Sequence, residues 1–289
     1  MRRSGLTRFS ASAMVRLSAC VFMMATTLPA LAAEPRVTVP EHLQQGQLVI
    51  GHAPPNAKIE YGAHRCRVGK DGVFVFGIDR DAPAKIALHV RYSNGKTDTL
   101  SLPVEKRQYH IERLEGLPQQ TVTPSAEIAA RISREQKRVV EARLRDDDRE
   151  DFLAGFTLPV EGARISGVYG SQRIDNGTPM TPHFGLDMAV PTGTAVHAPA
   201  AGTVTFAAPD LYLTGGTVLL DHGFGLTSAF LHMSKLDVKV GDKIRAGQPI
   251  GLSGATGRAT GPHVHWGFNW FETRLDPELL PKPVVALKP

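Results

Sequence analysis

Cysteine is nearly absent: Cys20 and Cys66 are the two in the chain. Cys20 falls in an N-terminal leader, which leaves Cys66 alone, and one cysteine makes no internal disulfide. The fold therefore depends on its core. Beyond the leader no run is apolar enough to span a membrane. Aromatic residues make up 7% of the chain, while glycine (28) and proline (21) are plentiful, which favours β-structure with many turns. Internal repeats and low-complexity segments are also missing. Excess charge is absent too once the leader is set aside. The formal +5 includes Arg2, Arg3, Arg8 and Arg16, with no leader acids, so the remainder is near +1. That balance gives no argument for nucleic-acid binding.

The leader spans residues 1–32. Its arginines precede the apolar run LSACVFMMATTLPA, and Ala30-Leu31-Ala32 is a small-x-small cleavage site, the pattern of a secretory signal peptide. The stretch Leu17 to Cys20 has the form of a lipoprotein acylation box. It lies ahead of most of the apolar run, with Arg16 just before it, which argues against acylation. Export with cleavage is expected, with no stable membrane insertion afterwards.

Three segments follow. In residues 34–110 the runs GQLVIGH, GVFVFGI, KIALHVRY and DTLSLPV alternate apolar and polar residues between turns at PPN, KDG and SNG. This predicts a small antiparallel, sandwich-like β-domain. Residues 123–152 lack glycine and are rich in helix formers. Thr123 is placed to cap and Pro124 to open a long helix, with Ile128, Ile132, Val139 and Leu144 as a narrow apolar stripe. An exposed linker helix is expected. From 154 to 282 glycine and β-branched residues return, in ARISGVYG, TAVHAPAAGTVTFA, TVLLDHG, LTSAFLH and HVHWGF. The expected fold class is mainly β: a small N-terminal domain, a linker helix and a C-terminal antiparallel sheet.

The last segment holds six of the eleven histidines. In GPHVHWGF a strand puts His263 and His265 on one face and Pro262, Val264 and Trp266 on the other. HFGLD places His183 and Asp187 four apart where a loop enters a strand. His232 ends the apolar run SAFLH. Each signal is weak alone. Together they supply enough nitrogen and oxygen donors for a three-ligand zinc site with an open fourth position, with imidazoles left for acid–base work. The HExxH glutamate of other zinc peptidases is absent, so imidazoles would have to do that work. His197 and His222 fit no motif and read as structural or surface residues. Arg173 and Asn176 are further candidates for substrate contact.

These motifs closely resemble the lysostaphin-type (LytM-like) zinc endopeptidases of bacterial cell walls. HFGLD matches the family's first metal motif, FLHMS resembles its YxHLS segment and GPHVHWGF matches its GPHLHFE signature. The stretch VKVGDKIRAGQPIGLSGATGRATGPH follows the family as well. The resemblance implies one Zn2+ per catalytic domain, held by His183, Asp187 and His265, with His232 and His263 catalytic. It also implies peptidoglycan peptide stems as substrate and cleavage of cross-links, while the near-neutral mature chain and simple leader point to the periplasm. Other cell-wall enzymes are further candidate partners. The sequence departs from the family at Phe230 (usually Tyr), at Trp266 (usually Phe) and in the longer SQRIDNGTPMTPHFG, which is expected to line or cover the groove. Degenerate relatives that lack ligands activate amidases without catalysis; that alternative is disfavoured by the complete residue set. A lipoyl- or biotin-carrier reading of VKVGDKIRAGQPIG needs a lysine at an exposed hairpin tip, and Lys243 sits in a strand-like run.

Overall fold

The computed structural model describes residues 36–114, 125–175 and 177–283. The leader, Thr123, Pro124 and Asn176 lie outside the described residues. Residues 35–289 fall in one compact unit.

The chain is mainly β, as its alternation requires. Strands β1 (Leu48–His52), β2 (Lys58–Tyr61), β3 (His64–Cys66), β4 (Val73–Gly77), β5 (Lys85–Arg91) and β6 (Thr97–Pro103) come first. They form an antiparallel β1–β4 pair and a second sheet in the order β3-β2-β5-β6. The period of two is plain in β5, where Ile86, Leu88 and Val90 are buried and the residues between them are exposed. The β2–β3 hairpin carries too little apolar alternation to stand out in the sequence.

Strand β7 (Ile111–Leu114) precedes helix α1 (Ala126–Arg143). The helix is capped by Ser125, whose side chain accepts from the Ile128 amide. It is shorter than the composition suggests. The run Asp146-Asp147-Asp148 would oppose the helix dipole if helical, and these acids have other partners. Arg67 forks onto Asp146 at 2.9 and 3.0 Å, and Arg145 holds Asp147 at 2.9 Å. The chain leaves the helix after Arg143 and enters a short 3-10 turn that buries Phe152. Nor is α1 free along its length. Val139 and Ala142 pack on the buried cluster of Phe206, Ala208, Leu211, Leu219 and Ala229, whereas Leu144 stays exposed.

The C-terminal part comprises β8 (Arg164–Gly167), β9 (Gln172–Asp175), β10 (Thr178–Pro179), β11 (Leu186–Ala189), β12 (Ala195–His197), β13 (Gly202–Leu211) and β14 (Gly215–Gly223). Then come β15 (Leu226–Met233), β16 (Lys235–Leu236), β17 (Lys243–Ile244), β18 (Pro249–Leu252), β19 (His263–Trp270) and β20 (Thr273–Leu275). Its main antiparallel sheet runs β17-β13-β14-β15-β19-β11-β8, with β20 added beside β19. Strand β14 is buried throughout, as a central strand covered on both faces must be.

On β19 the residues Val264, Trp266, Phe268 and Trp270 are all essentially inaccessible. The end of this apolar row meets the N-terminal sheets: Trp270 lies 6.1 Å from the Tyr61 ring and 4.9 Å from His64, which itself stacks on Phe271. Replacing Trp270 by Ala should cost about 3–5 kcal/mol, the range for a large buried aromatic. Urea unfolding of the two proteins measures it. A loss below about 1 kcal/mol would mean that this contact does not hold the layers together.

Candidate metal centre

The site is built on strand alternation. In β19, His263 and His265 share a face with Gly267 and Asn269, opposite the apolar row. Antiparallel register then selects their neighbours: Asp187 of β11 stands opposite His265 on one side and Leu231 of β15 on the other. Directly opposed residues share a face, so Asp187 and His265 meet. His183 enters from the loop before β11.

Three donor atoms converge. His183 Nε2 lies 3.1 Å from Asp187 Oδ1 and 2.9 Å from His265 Nδ1, and His265 Nδ1 lies 2.9 Å from the same carboxylate oxygen. Among the described residues this is the group of three whose atoms are spaced to hold one metal ion. The donor set suits zinc. Ligands near 2.0–2.2 Å in a tetrahedral arrangement would stand about 3.3 Å apart, close to this triangle. His183 is also oriented for it: its Nδ1–H donates to Val168 O at 3.0 Å, leaving the Nε2 lone pair directed at the cluster.

Electrostatics favours the same reading. Burial works to raise the Asp187 carboxyl, but hydrogen bonds from His183 and His265 overcome it and hold the group well below the usual range. Burial pushes His265 down to about 4, against the opposing pull of Asp187. An ionised carboxylate and a neutral imidazole are the forms a cation binds. Burial lowers His183 as well, but the hydrogen bond to Asp187 outweighs it and raises the ring overall.

His232 and His263 stand beside this triangle, their ring centroids 4.7 Å apart. His263 Nε2 is 3.8 Å from Asp187 Oδ1, outside hydrogen-bond reach. Both rings are oriented through Nδ1, His232 on Thr256 O at 2.9 Å and His263 on Gly261 O at 2.8 Å. His232 also has φ 63°, a left-handed conformation uncommon outside glycine. Its amide donates to Thr214 O at 2.8 Å, which fixes that turn at the end of β15. Close packing requires glycine at two places. A Cβ at Gly185 would lie 2.5 Å from the His265 ring, and one at Gly167 would lie 2.4 Å from Asp187 Oδ2.

The other candidates separate from the site. His222 is fully buried, with ring nitrogens 2.6 Å from Ala201 O and 2.9 Å from Ser228 Oγ, and burial pushes it down to about 4. It is a core residue. Arg173 donates to Glu112 Oε2 at 2.8 Å. Phe230 and Trp266 face each other across β15 and β19, both buried, and the Trp266 indole N–H reaches Ser228 Oγ at 3.2 Å. The substitution at Trp266 is one of packing.

Sequence reasoning missed a brace from the N-terminal segment. Arg80 is buried, and its Nε and Nη2 both donate to Gly170 O, at 3.0 and 2.7 Å. Its guanidinium lies 4.3 Å from the centre of the Tyr109 ring. Gly170 N–H in turn donates to His183 O, and His183 N–H to Ser171 O, both at 2.8 Å. Strand β7 adds parallel pairing with β9 in the same loop. Nothing in a sequence pattern links Arg80 to Gly170, 90 positions away.

Comparison with known proteins places the chain in a family. The model of peptidase family M23 matches residues 181–277. A crystal structure from Pseudomonas aeruginosa assigned to peptidase M23 is 31% identical, covers 82% of this chain and 93% of its own, and superposes with a TM-score of 0.63. The peptidoglycan DD-endopeptidase ShyA of Vibrio cholerae is 42% identical over 104 residues, which is 36% of this chain and 24% of that protein. The DD-carboxypeptidase/endopeptidase Mpg of Neisseria meningitidis is 34% identical over 134 residues, 46% of this chain and 30% of that protein. The chain thus matches about a quarter to a third of the length of these curated relatives.

If Arg80 holds the His183 loop, Arg80→Met should expose the Gly170 and His183 amides. Hydrogen exchange at both should rise about tenfold or more, as expected when a local brace is lost. Unchanged protection at both would show that β7 pairing alone secures the loop.

Proposed function

Because the chain belongs to peptidase family M23, we propose that it is a zinc-dependent endopeptidase that hydrolyses peptide bonds in peptidoglycan cross-links. The observation that carries this reading is the convergence of His183, Asp187 and His265 beside two further oriented imidazoles. We assign those three residues to the metal and His232 and His263 to catalysis. When bound, zinc supplies Lewis acidity, polarising a carbonyl and making water nucleophilic near neutral pH.

The chain's own residues do the rest. His232 and His263 each use Nδ1 to fix the ring on a backbone carbonyl, which leaves Nε2 for the reacting groups. In neutral form one Nε2 accepts a proton from the attacking water and passes it to the leaving amine; in protonated form the other donates to the carbonyl oxygen. Two imidazoles are needed because no glutamate takes this part. Burial depresses His232, partly offset by its bond to Thr256 O, which favours the neutral ring a base requires.

The relative named a peptidoglycan DD-endopeptidase supports the substrate class. No helix among the described residues is long and apolar enough to cross a membrane. Together with the leader at 1–32, this supports export, and we propose the periplasm. We also propose that 34–110 and 123–152 target or regulate the catalytic segment 154–282 and carry none of the catalytic residues. A non-catalytic activator of an amidase would not need the two catalytic imidazoles, and turnover on purified cell wall separates the two readings.

His183→Ala, Asp187→Ala and His265→Ala should each lose zinc and activity. His232→Ala and His263→Ala should keep zinc and lose roughly 10²–10⁴-fold in rate, the range for a positioned acid or base. Zinc content and turnover are measured on each variant. Stoichiometric zinc in Asp187→Ala would sink the ligand assignment, and a metal-free His263→Ala beside a zinc-bound His265→Ala would exchange their roles.

A further inference from the structure

The sheet face that carries the metal centre extends well beyond it. Asn269 shares the face of His265, and Arg274 of β20 is directly opposite Asn269 in the register. Leu231 and Ala229, opposite His265 and Gly267, are on this face too, and Ala229 belongs to the buried cluster on which α1 packs through Val139 and Ala142. The last residue of α1, Arg143, is thereby carried over the same face, beside Arg274.

These two arginines are an unusual pair. Arg143 is only 7% exposed, and its Nε has no partner. Among the described residues neither guanidinium has a carboxylate partner. Arg274 rests 5.9 Å from the Phe184 ring, next in sequence to His183. Burial, with the positive charge of Arg274 added, pushes Arg143 below its ordinary value. Opposite Arg274, Asn269 is fully buried, and neither its amide nitrogen nor its oxygen has a partner. Buried charges and amides left unpaired cost several kcal/mol, so a native chain that keeps them side by side has a partner to pair them with. The C-terminal dipole of α1 eases the cost for Arg143 but supplies no acceptor to its Nε.

A cleft of about 60 Å³ opens between the arginines, walled by Val140, Leu144 and Phe271. Val140 and Leu144 are 48% and 55% exposed, so its mouth is apolar. Glu272 also borders the cleft, but its carboxylate is taken by His64 Nε2 at 2.7 Å. The space fits a small anion with an alkyl substituent. From His265 to Asn269 is four residues of strand, about 13 Å at 3.3 Å per residue, within the span of a short peptide lying along the sheet.

We infer that Arg143 and Arg274 form a subsite for a free carboxylate of the substrate peptide, seated on the sheet face of the metal centre about four residues from the scissile bond. This rests on the endopeptidase reading for its substrate, while the anion site itself rests on the unpaired guanidiniums. Planar guanidinium forks suit a carboxylate, and the two acting together on one carboxylate give about a tenfold effect.

The test uses the full-length zinc-loaded protein and a cross-linked peptide in two forms, with a free C-terminal carboxylate and with the amide. The native protein should favour the acid about tenfold in kcat/KM, and in Arg143→Gln and Arg274→Gln that preference should fall to near one. A second arm needs neither turnover nor a variant. N-acetyl-D-alanine is titrated against the native protein while the arginine Nε–H resonances are followed by NMR. Saturable shifts of Arg143 and Arg274 are expected. Equal turnover of acid and amide together with no shift at either arginine would overturn the proposal. Saturable shifts with no hydrolysis of any peptide would sink the endopeptidase reading and keep the anion site.

Discussion

Everything in the site depends on Asp187 standing opposite His265 across the β11–β19 pairing. A slip of one residue would turn Asp187 to the apolar face, where Trp266 and Val264 lie, and no side-chain rotation would restore the triangle. The register is therefore the first thing the core must secure. It does so from behind: Leu186 and Met188 of β11 are buried with Val264, Trp266 and Phe268 of β19, so a slip would expose one row and bury the other. The apolar face sets the geometry of the polar one.

That arrangement brings three donor atoms within about hydrogen-bond distance in a half-buried place, which is unfavourable without a cation or a shared proton. Several features resist relaxation. Glycines at 167 and 185 let the backbone close onto Asp187 and His265. Val168 O holds one ring of the triangle, and Thr256 O and Gly261 O hold the two rings beside it. His232 adopts its left-handed backbone because the surrounding turn, pinned through Thr214 O, leaves it no other. Arg80 and Tyr109, from before the helix, steady the loop that brings His183. The N-terminal segment thus touches the loop that brings His183 to the candidate metal centre as well as the rear of the sheet.

Much of this is legible in the sequence, and the limit is physical. Alternation alone puts His263 and His265 on one face of a strand and the apolar Val264 and Trp266 on the other, because a period of two is a local property. The fold class follows from similar local patterns. Which imidazoles make up the triangle does not follow from spacing. It comes from the family resemblance, and the close approach of His183, Asp187 and His265 is what the tertiary fold adds. The end of α1 departs from its composition because helix propensity over 144–152 is overridden by the pairing of Asp146 with the distant Arg67 and of Asp147 with the neighbouring Arg145. The Arg80 brace and the Arg143–Arg274 pair are invisible in sequence because each joins residues that only the tertiary fold brings together.

The two faces of β19 show how stability and function are divided within one strand. Its even-numbered residues are fully buried and apolar. Its odd-numbered residues are two imidazoles, a glycine and an asparagine whose amide is unsatisfied. Helix α1 covers only part of the second face, through the small contact of Val139 and Ala142, and it ends in an arginine that the core has no use for. A chain optimised for stability alone would fill this face with apolar side chains, since replacing unpaired buried polar groups by well-packed apolar ones is neutral or stabilising. That this chain leaves histidine, asparagine and arginine on this face, beyond the three residues of the triangle, accords with the proposed subsite, which would extend a binding surface from the candidate metal centre to the end of the helix.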